Sequence, residues 1–367
     1  MTTRLQRLYT EQDQSPWLDN LKRGWITSGE LERWVERGVR GITSNPTIFQ
    51  KAMAAGDAYD AQLAELTEAG ASTVDAYWAA VTKDISDALD LLAPVHEASD
   101  GLDGYVSLEL APELARETEA SAEAARRLHE TIARPNLYVK IPGTAEGLPA
   151  VQQMIAECHS INVTLIFGLD RYAEVIEAYL AGLEANTADD LSGVSSVASF
   201  FVSRLDTEVD RRLDAVGTDE AIALKGRAAV AQAQCAYQLF LDRFSGPRWD
   251  ALAARGARVQ RPLWASTSTK NPAYPDTLYV DELIGPRSVN TMPDATLEAY
   301  EDHGALERRV DADPEAAQAT LDRLAGLGID MADVTRVLED EGVASFSKSF
   351  DELLGVLGDK AEQLRRG

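Results

Sequence analysis

The stretch NLYVKIPGT, residues 136–144, places Lys140 in the middle of an apolar run that Pro142 and Gly143 end. Lysine is among the residues least willing to be buried, so this position needs a chemical reason or a charge partner. A neutral lysine amine attacks a carbonyl and forms a Schiff base. Free lysine titrates near about 10.4, so the role requires surroundings that favour the neutral amine. Tyr138, Phe201 and Trp264 are candidates to exclude water from it. Glu109 is a candidate for the proton transfers that turn a carbinolamine into an imine, although an ionised carboxylate nearby favours the ammonium. The other reading is a lysine that snorkels out of the strand end or pairs with Glu109. Position in the chain leaves both open.

Other polar residues recur at the ends of strand-like runs. Asp19 stands near the end of SPWLDN (15–20), and Thr43, Ser44 and Asn45 close VRGITSN (39–45). Ser107 and Glu109 share one face of GYVSLEL (104–110), as Asn162 and Thr164 share one face of INVTLIF (161–167). Ser199, Ser203 and Arg204 belong to VSSVASFFVSR (194–204). Ser266 ends QRPLWAST (260–267) with Lys270 just beyond, and Asn290 lies in RSVNTMP (287–293). Taken singly, each reads as a turn, a helix cap or a hydrogen-bonded core residue. Together they imply one shared site, because burying them without purpose costs about 1–3 kcal/mol for each unpaired group.

With NLYVKIP (136–142), these runs make eight strands, and helical segments separate most of them. Strands alternating with helices imply parallel βαβ units, and eight such units close into a (β/α)8 barrel with catalytic groups at the C-terminal strand ends. Ser28 is read as an N-cap and Gly38 as a helix stop. Pro46 opens a helix, and residues 57–97 read as two. Residues 112–133 read as a long helix beginning at Pro112, and residues 144–158 as a helix broken or staggered near Gly147–Pro149. An open doubly wound sheet is the runner-up, but no GxGxxG follows the first strand. Residues 1–367 are expected to form a single domain, with 310–367 as appended helices that carry no strand signal.

Composition narrows the function. The net charge of −25 argues against nucleic acid and anionic membranes as partners. An anionic substrate would need local Arg or Lys to overcome that field. No apolar run has the length of a membrane span and the N-terminus lacks an apolar signal core, so a cytoplasmic location is expected. Cys158 and Cys235 form no ligand spacing, and the four histidines make no triad or metal pattern. IPGTAEG lacks the Gly-Lys-Ser/Thr ending of a phosphate loop, and LEDEG (338–342) reads as a solvated acidic face.

Long motifs then carry a family resemblance: GITSNPTIFQKA (41–52), VSLELAP (106–112), NLYVKIPGTAEGLPAV (136–151), INVTLIF, VASFFVSRLDTEVD (197–210) and WASTSTKNPAYPDTLYVDELIG (264–285). Across nearly the whole chain, it resembles the longer bacterial transaldolases. The resemblance implies a cofactor-independent class I aldolase-type barrel of the non-oxidative pentose phosphate pathway. Such enzymes act on sugar phosphates; the acidic surface fits a monomer or a homodimer alike. Carried over by residue, it implies that Lys140 is the Schiff-base lysine and Asp19 the acid/base at the donor C4 hydroxyl. Glu109 and Thr164 would hold a catalytic water. Asn45, Asn162 and Ser199 would bind the dihydroxyacetone unit, and Arg204 the phosphate. Ser266 and Lys270 align with a second phosphate element that is a compact Ser-x-Arg in shorter transaldolases; here it is longer and ends in lysine. Two alternatives remain at this point: an aldolase on the same barrel that releases dihydroxyacetone, and a non-catalytic scaffold.

Overall fold

Each of the eight runs forms a strand. In this computed structural model, which describes residues 2–366, they are β1 (Gln14–Leu18), β2 (Gly41–Thr43), β3 (Tyr105–Glu109) and β4 (Leu137–Pro142). β5 (Ile161–Ile166), β6 (Ser196–Phe201), β7 (Arg261–Ala265) and β8 (Ser288–Met292) complete the set. Every strand pairs in parallel with the next, and β8 pairs with β1, so the sheet closes into a (β/α)8 barrel. Both faces are covered, which explains why the strands read as near-continuous apolar runs.

Alternation divides each strand between helices and barrel interior. In β4, Tyr138 and Lys140 point inward while Leu137, Val139 and Ile141 serve the outer core. Tyr138 stacks on Tyr105 at 4.0 Å and lies 6.1 Å from Trp17, forming an aromatic layer in the lower barrel. β2 meets that layer with Gly41, where a Cβ would lie 2.4 Å from the Trp17 ring. Only glycine allows this approach.

Several helix boundaries differ from the sequence reading. Ser28 ends the short helix Arg23–Thr27, and Gly29, in left-handed backbone at φ 74°, caps the next helix, Glu30–Arg37. Gly38 stops that helix as expected, at φ 119°. Pro112 opens a single 3-10 turn, Pro112–Leu114, and the long helix begins only at Thr118. The Ser121 hydroxyl donates to the Leu114 carbonyl and holds that corner. The helix Gly147–Ala156 is unbroken, because Pro149 falls in its first turn, where the missing N–H has no intrahelical partner to lose. Residues 57–97 do yield two helices, Asp60–Glu68 and Thr73–Ala98.

The C-terminal residues form the helices Pro314–Gly326 and Met331–Arg366. The second, 36 residues long, lies across the C-terminal mouth of the barrel. It is tied to segments following different strands: Ser349 to Thr47, Asp340 to Arg116, Glu339 to Arg171 and Asp333 to Arg212. Gly342 comes so close to β5 that a Cβ would meet Leu165 at 3.1 Å. Among the described residues, no helix is long and apolar enough to cross a membrane.

Candidate active site

Register brings the chemistry together. Glu109 of β3 is level with Lys140 of β4, and Lys140 with Asn162 of β5, so three polar side chains stand side by side facing inward. The Lys140 ammonium nitrogen lies 3.3 Å from Glu109 Oε2 and donates to the Ser44 carbonyl at 3.0 Å. Both Lys140 and Glu109 are buried. Burial pushes the Glu109 carboxyl above its ordinary range, and the neighbouring Lys140 charge opposes this only in part. Glu109 Oε1 and Thr164 Oγ1 are each buried without a hydrogen-bond partner.

Asp19 follows β1 directly and accepts from Thr43 Oγ1 at 2.7 Å; Thr43 in turn meets Thr291 of β8 at 2.6 Å. Burial also raises the Asp19 carboxyl, against hydrogen bonding by Thr43 and the charges of Lys140, Lys270 and Arg204. Ser199 donates to Asn162 Oδ1 at 2.7 Å, and Asn162 Nδ2 donates to Ser107 at 3.0 Å, which fixes the amide orientation. Asn45 caps the helix Pro46–Ala54 through Oδ1, which accepts from Ile48 N–H, and stands at the pocket wall.

Arg204, in the first turn of the helix Ser203–Val216, lies over the rings of Phe201 at 5.4 Å and Phe346 at 5.9 Å. Burial pushes its guanidinium below the usual range, because Glu109, Glu341 and Asp19 act on it only at a distance. Ser266 has φ 56°, a left-handed conformation that is costly for a residue with a Cβ, and meets Ser203 at 2.9 Å. Lys270 reaches Ser268 at 2.7 Å, and burial together with Arg204 pushes its amine downward.

Eight of the ten expected site residues line one cavity of about 110 Å³: Asp19, Asn45, Lys140, Thr164, Ser199, Arg204, Ser266 and Lys270. Glu109 and Asn162 stand behind that wall and reach it through Lys140 and Ser199. Asn290 does not face the mouth. Thr291 takes the inward position, and Asn290 accepts from Thr267 outside the barrel lumen. Of the three aromatics expected around Lys140, Phe201 lines the cavity and Tyr138 lies one layer below. Trp264 faces away and packs edge-on against Phe200. A separate cavity of about 750 Å³, beside the helices Ala228–Arg243 and Pro314–Gly326, carries none of these strand-end groups.

Comparison with known proteins gives the family. A family model described as Transaldolase/Fructose-6-phosphate aldolase matches residues 16–357. The chain belongs to that family. It is 53% identical over 342 residues to the transaldolase of Thermobifida fusca (strain YX), covering 92% of this chain and 93% of the relative. The transaldolase of Parafrankia sp. (strain EAN1pec) is 52% identical over 348 residues, 94% of each chain. That of Mycolicibacterium smegmatis is 52% identical over 344 residues, 93% of each. These relatives place the chain among the transaldolase enzymes.

Thr291 and Phe346 are among the pocket residues of this transaldolase family member that escaped sequence reasoning. Thr291 was overshadowed by its neighbour Asn290; counting alternation from Val289 finds it. Phe346 comes from the C-terminal helix, far from any strand, and no local pattern marks it as part of the site.

Proposed function

We propose that this enzyme transfers a dihydroxyacetone unit through a Schiff base on Lys140. The donor would be sedoheptulose 7-phosphate or fructose 6-phosphate, and the acceptor glyceraldehyde 3-phosphate or erythrose 4-phosphate. This is chemistry of the non-oxidative pentose phosphate pathway. One observation carries the reading: a buried amine, beside a carboxyl that burial raises, shares a cavity with a second raised carboxyl and two cations that form no ion pair among the described residues.

The amine of Lys140 adds to the donor C2 carbonyl. Glu109 protonates the departing hydroxyl and water leaves, giving the iminium. A carboxyl held above its ordinary range is suited to this because it can start protonated. Glu109 Oε1 and Thr164 Oγ1, both without partners, are suited to hold a water between them for these transfers. Asp19 then takes the C4 hydroxyl proton. The C3–C4 bond breaks, its electron pair moves into the iminium, and an aldose phosphate leaves. The remaining enamine stays on Lys140, held by Asn45, Asn162 and Ser199. An acceptor aldehyde adds, Asp19 returns its proton, and water releases the new ketose.

Arg204 and Lys270 face the cavity as ligands for the substrate phosphate, with Ser266 beside them. Lysine supplies charge there without the bidentate fork of arginine.

The test is borohydride reduction in the presence of fructose 6-phosphate, followed by mass spectrometry of peptides. A three-carbon adduct on Lys140 is expected. Labelling at another lysine, or none in an active preparation, overturns the mechanism. The aldolase reading is separated by comparing acceptor-dependent transfer with acceptor-free cleavage of the same donor.

A further inference from the structure

The cavity around Lys140 opens into a larger one of about 720 Å³, and the two share Asp19, Asn45, Arg204, Lys270, Pro293 and Phe346. The outer cavity runs along the helices Arg23–Thr27 and Pro46–Ala54, and its wall adds Lys22 and Lys51. The chain has eight lysines. Among the described residues, five meet a carboxylate: Lys83, Lys140, Lys225, Lys348 and Lys360. The other three, Lys22, Lys51 and Lys270, all line this one cavity.

That concentration is unexpected in a protein with 60 acidic and 35 basic residues, where a lysine readily finds an acid. Two carboxylates share the wall, Asp294, which accepts from Asn20, and Asp19, which accepts from Thr43, and among the described residues neither forms an ion pair with these three lysines. Arg23, also on the wall, is bound to buried Asp84. Lys22 lies 4.2 Å from the centre of the Trp25 ring, held by an aromatic face and not by an acid. The charge of Lys51 reaches Lys270, so the outer and inner cations act on one region of space.

We propose that Lys51 and Lys22 form an outer anion-capture site, which takes a phosphate monoester dianion at the cavity entrance before Arg204 and Lys270 hold it. The proposal rests on the reading of the inner site as one for sugar phosphates. A negatively charged molecule repels such substrates, and a cleft lined by unneutralised cations reverses that field locally; focusing of this kind changes association rates by about 10- to 10³-fold. The two lysines therefore act on capture and leave the bond-breaking steps to the inner groups.

The experiment compares the wild type with the double variant Lys22→Gln/Lys51→Gln, using fructose 6-phosphate and unphosphorylated fructose as donors. The expected result is at least a tenfold loss in kcat/KM for the phosphorylated donor, with less than a twofold change for fructose. The salt dependence of kcat/KM flattens, and competitive inhibition by inorganic phosphate weakens. Lys22→Arg/Lys51→Arg restores the wild-type behaviour. Equal losses on both donors, or unaltered kcat/KM and phosphate inhibition, overturn the capture site. Borohydride trapping on Lys140 in the same preparations separates the two ideas. An adduct with no change in capture sinks only this proposal, whereas absence of an adduct from the active wild type sinks the inner-site reading.

Discussion

The two ends of the barrel both bury charge, and they treat it in opposite ways. At the N-terminal end, Asp103 is held by Arg40 at 2.8 Å, Arg261 at 3.0 Å and the Ser15 hydroxyl at 2.7 Å. Burial alone would push its carboxyl up, but the two guanidinium groups pull it below the usual range. At the C-terminal end, Asp19 and Glu109 are both raised by burial, and among the described residues Arg204 and Lys270 form no ion pair with an acid. A satisfied cluster stabilises the fold, whereas an unsatisfied one leaves interaction capacity for a substrate. The same distinction assigns stability to the lower end of such barrels and chemistry to the upper.

Substitutions at the two ends should therefore separate activity from stability. Lys140→Met is expected to reduce turnover by roughly 10⁴-fold or more, with little change in the unfolding midpoint, because Glu109, already raised by burial, can take up a proton when its cationic partner is removed. Asp103→Asn should do the reverse: about 3–5 kcal/mol of stability lost, because Arg40 and Arg261 are left without their counter-charge, and kcat kept in the remaining folded protein. Denaturant titration together with steady-state kinetics measures both. Comparable stability losses at the two ends would erase the contrast.

Arg204→Ala probes the mouth alone. Losing hydrogen bonds to a charged group, about 1.5–3 kcal/mol, should lower kcat/KM for phosphorylated donors roughly 10- to 100-fold. Unphosphorylated donors should change little. Equal apparent affinity across both donor types would remove Arg204 from phosphate binding.

The smallest effects lie in the dependence of stability on pH, and they have opposite signs. Folded Asp103 titrates below its ordinary 3.8, so the unfolded chain binds more protons there and stability is lost as pH falls below that value. Folded Glu109 titrates above its ordinary 4.5, so the folded chain keeps a proton that the unfolded chain has released, and stability falls as pH rises through that range. Stability curves of Asp103→Asn and Glu109→Gln should flatten on the acid side and above 4.5 respectively. The same slope in both would show that the ends do not differ.

Much of this arrangement was legible in the chain, for reasons that individual residues make plain. Leu137, Val139 and Ile141 alternate with Tyr138 and Lys140 because a strand has a period of two, so the inward face of β4 follows from its residues. Eight such runs, separated by helical segments, limit the topology to few choices, and the barrel closes as expected. Helix ends were less legible. Ser28 and Gly29 both suit a cap, and the choice depends on where the preceding helix Arg23–Thr27 stops. Pro112 suits a first turn of either helix type, and packing of the corner at Ser121 delays the long helix to Thr118.

By itself, the sequence determined the strands, the alternation of faces along them and the chemical types available at their ends, because these depend on local periodicity and side-chain chemistry; which face turns inward was missed at Trp264 in β7 and Asn290 in β8. Tertiary structure decided what those residues meet. Register set Glu109 level with Lys140. A shift in pairing between Val163 and Ile166, with Leu165 at φ 59°, bends β5 just beyond Thr164. The C-terminal helix brought Phe346 over Arg204 from 142 positions away. Whether a buried lysine finds an acid, and whether a carboxyl rises or falls, depends on distances between segments far apart in the chain, and local sequence does not encode them.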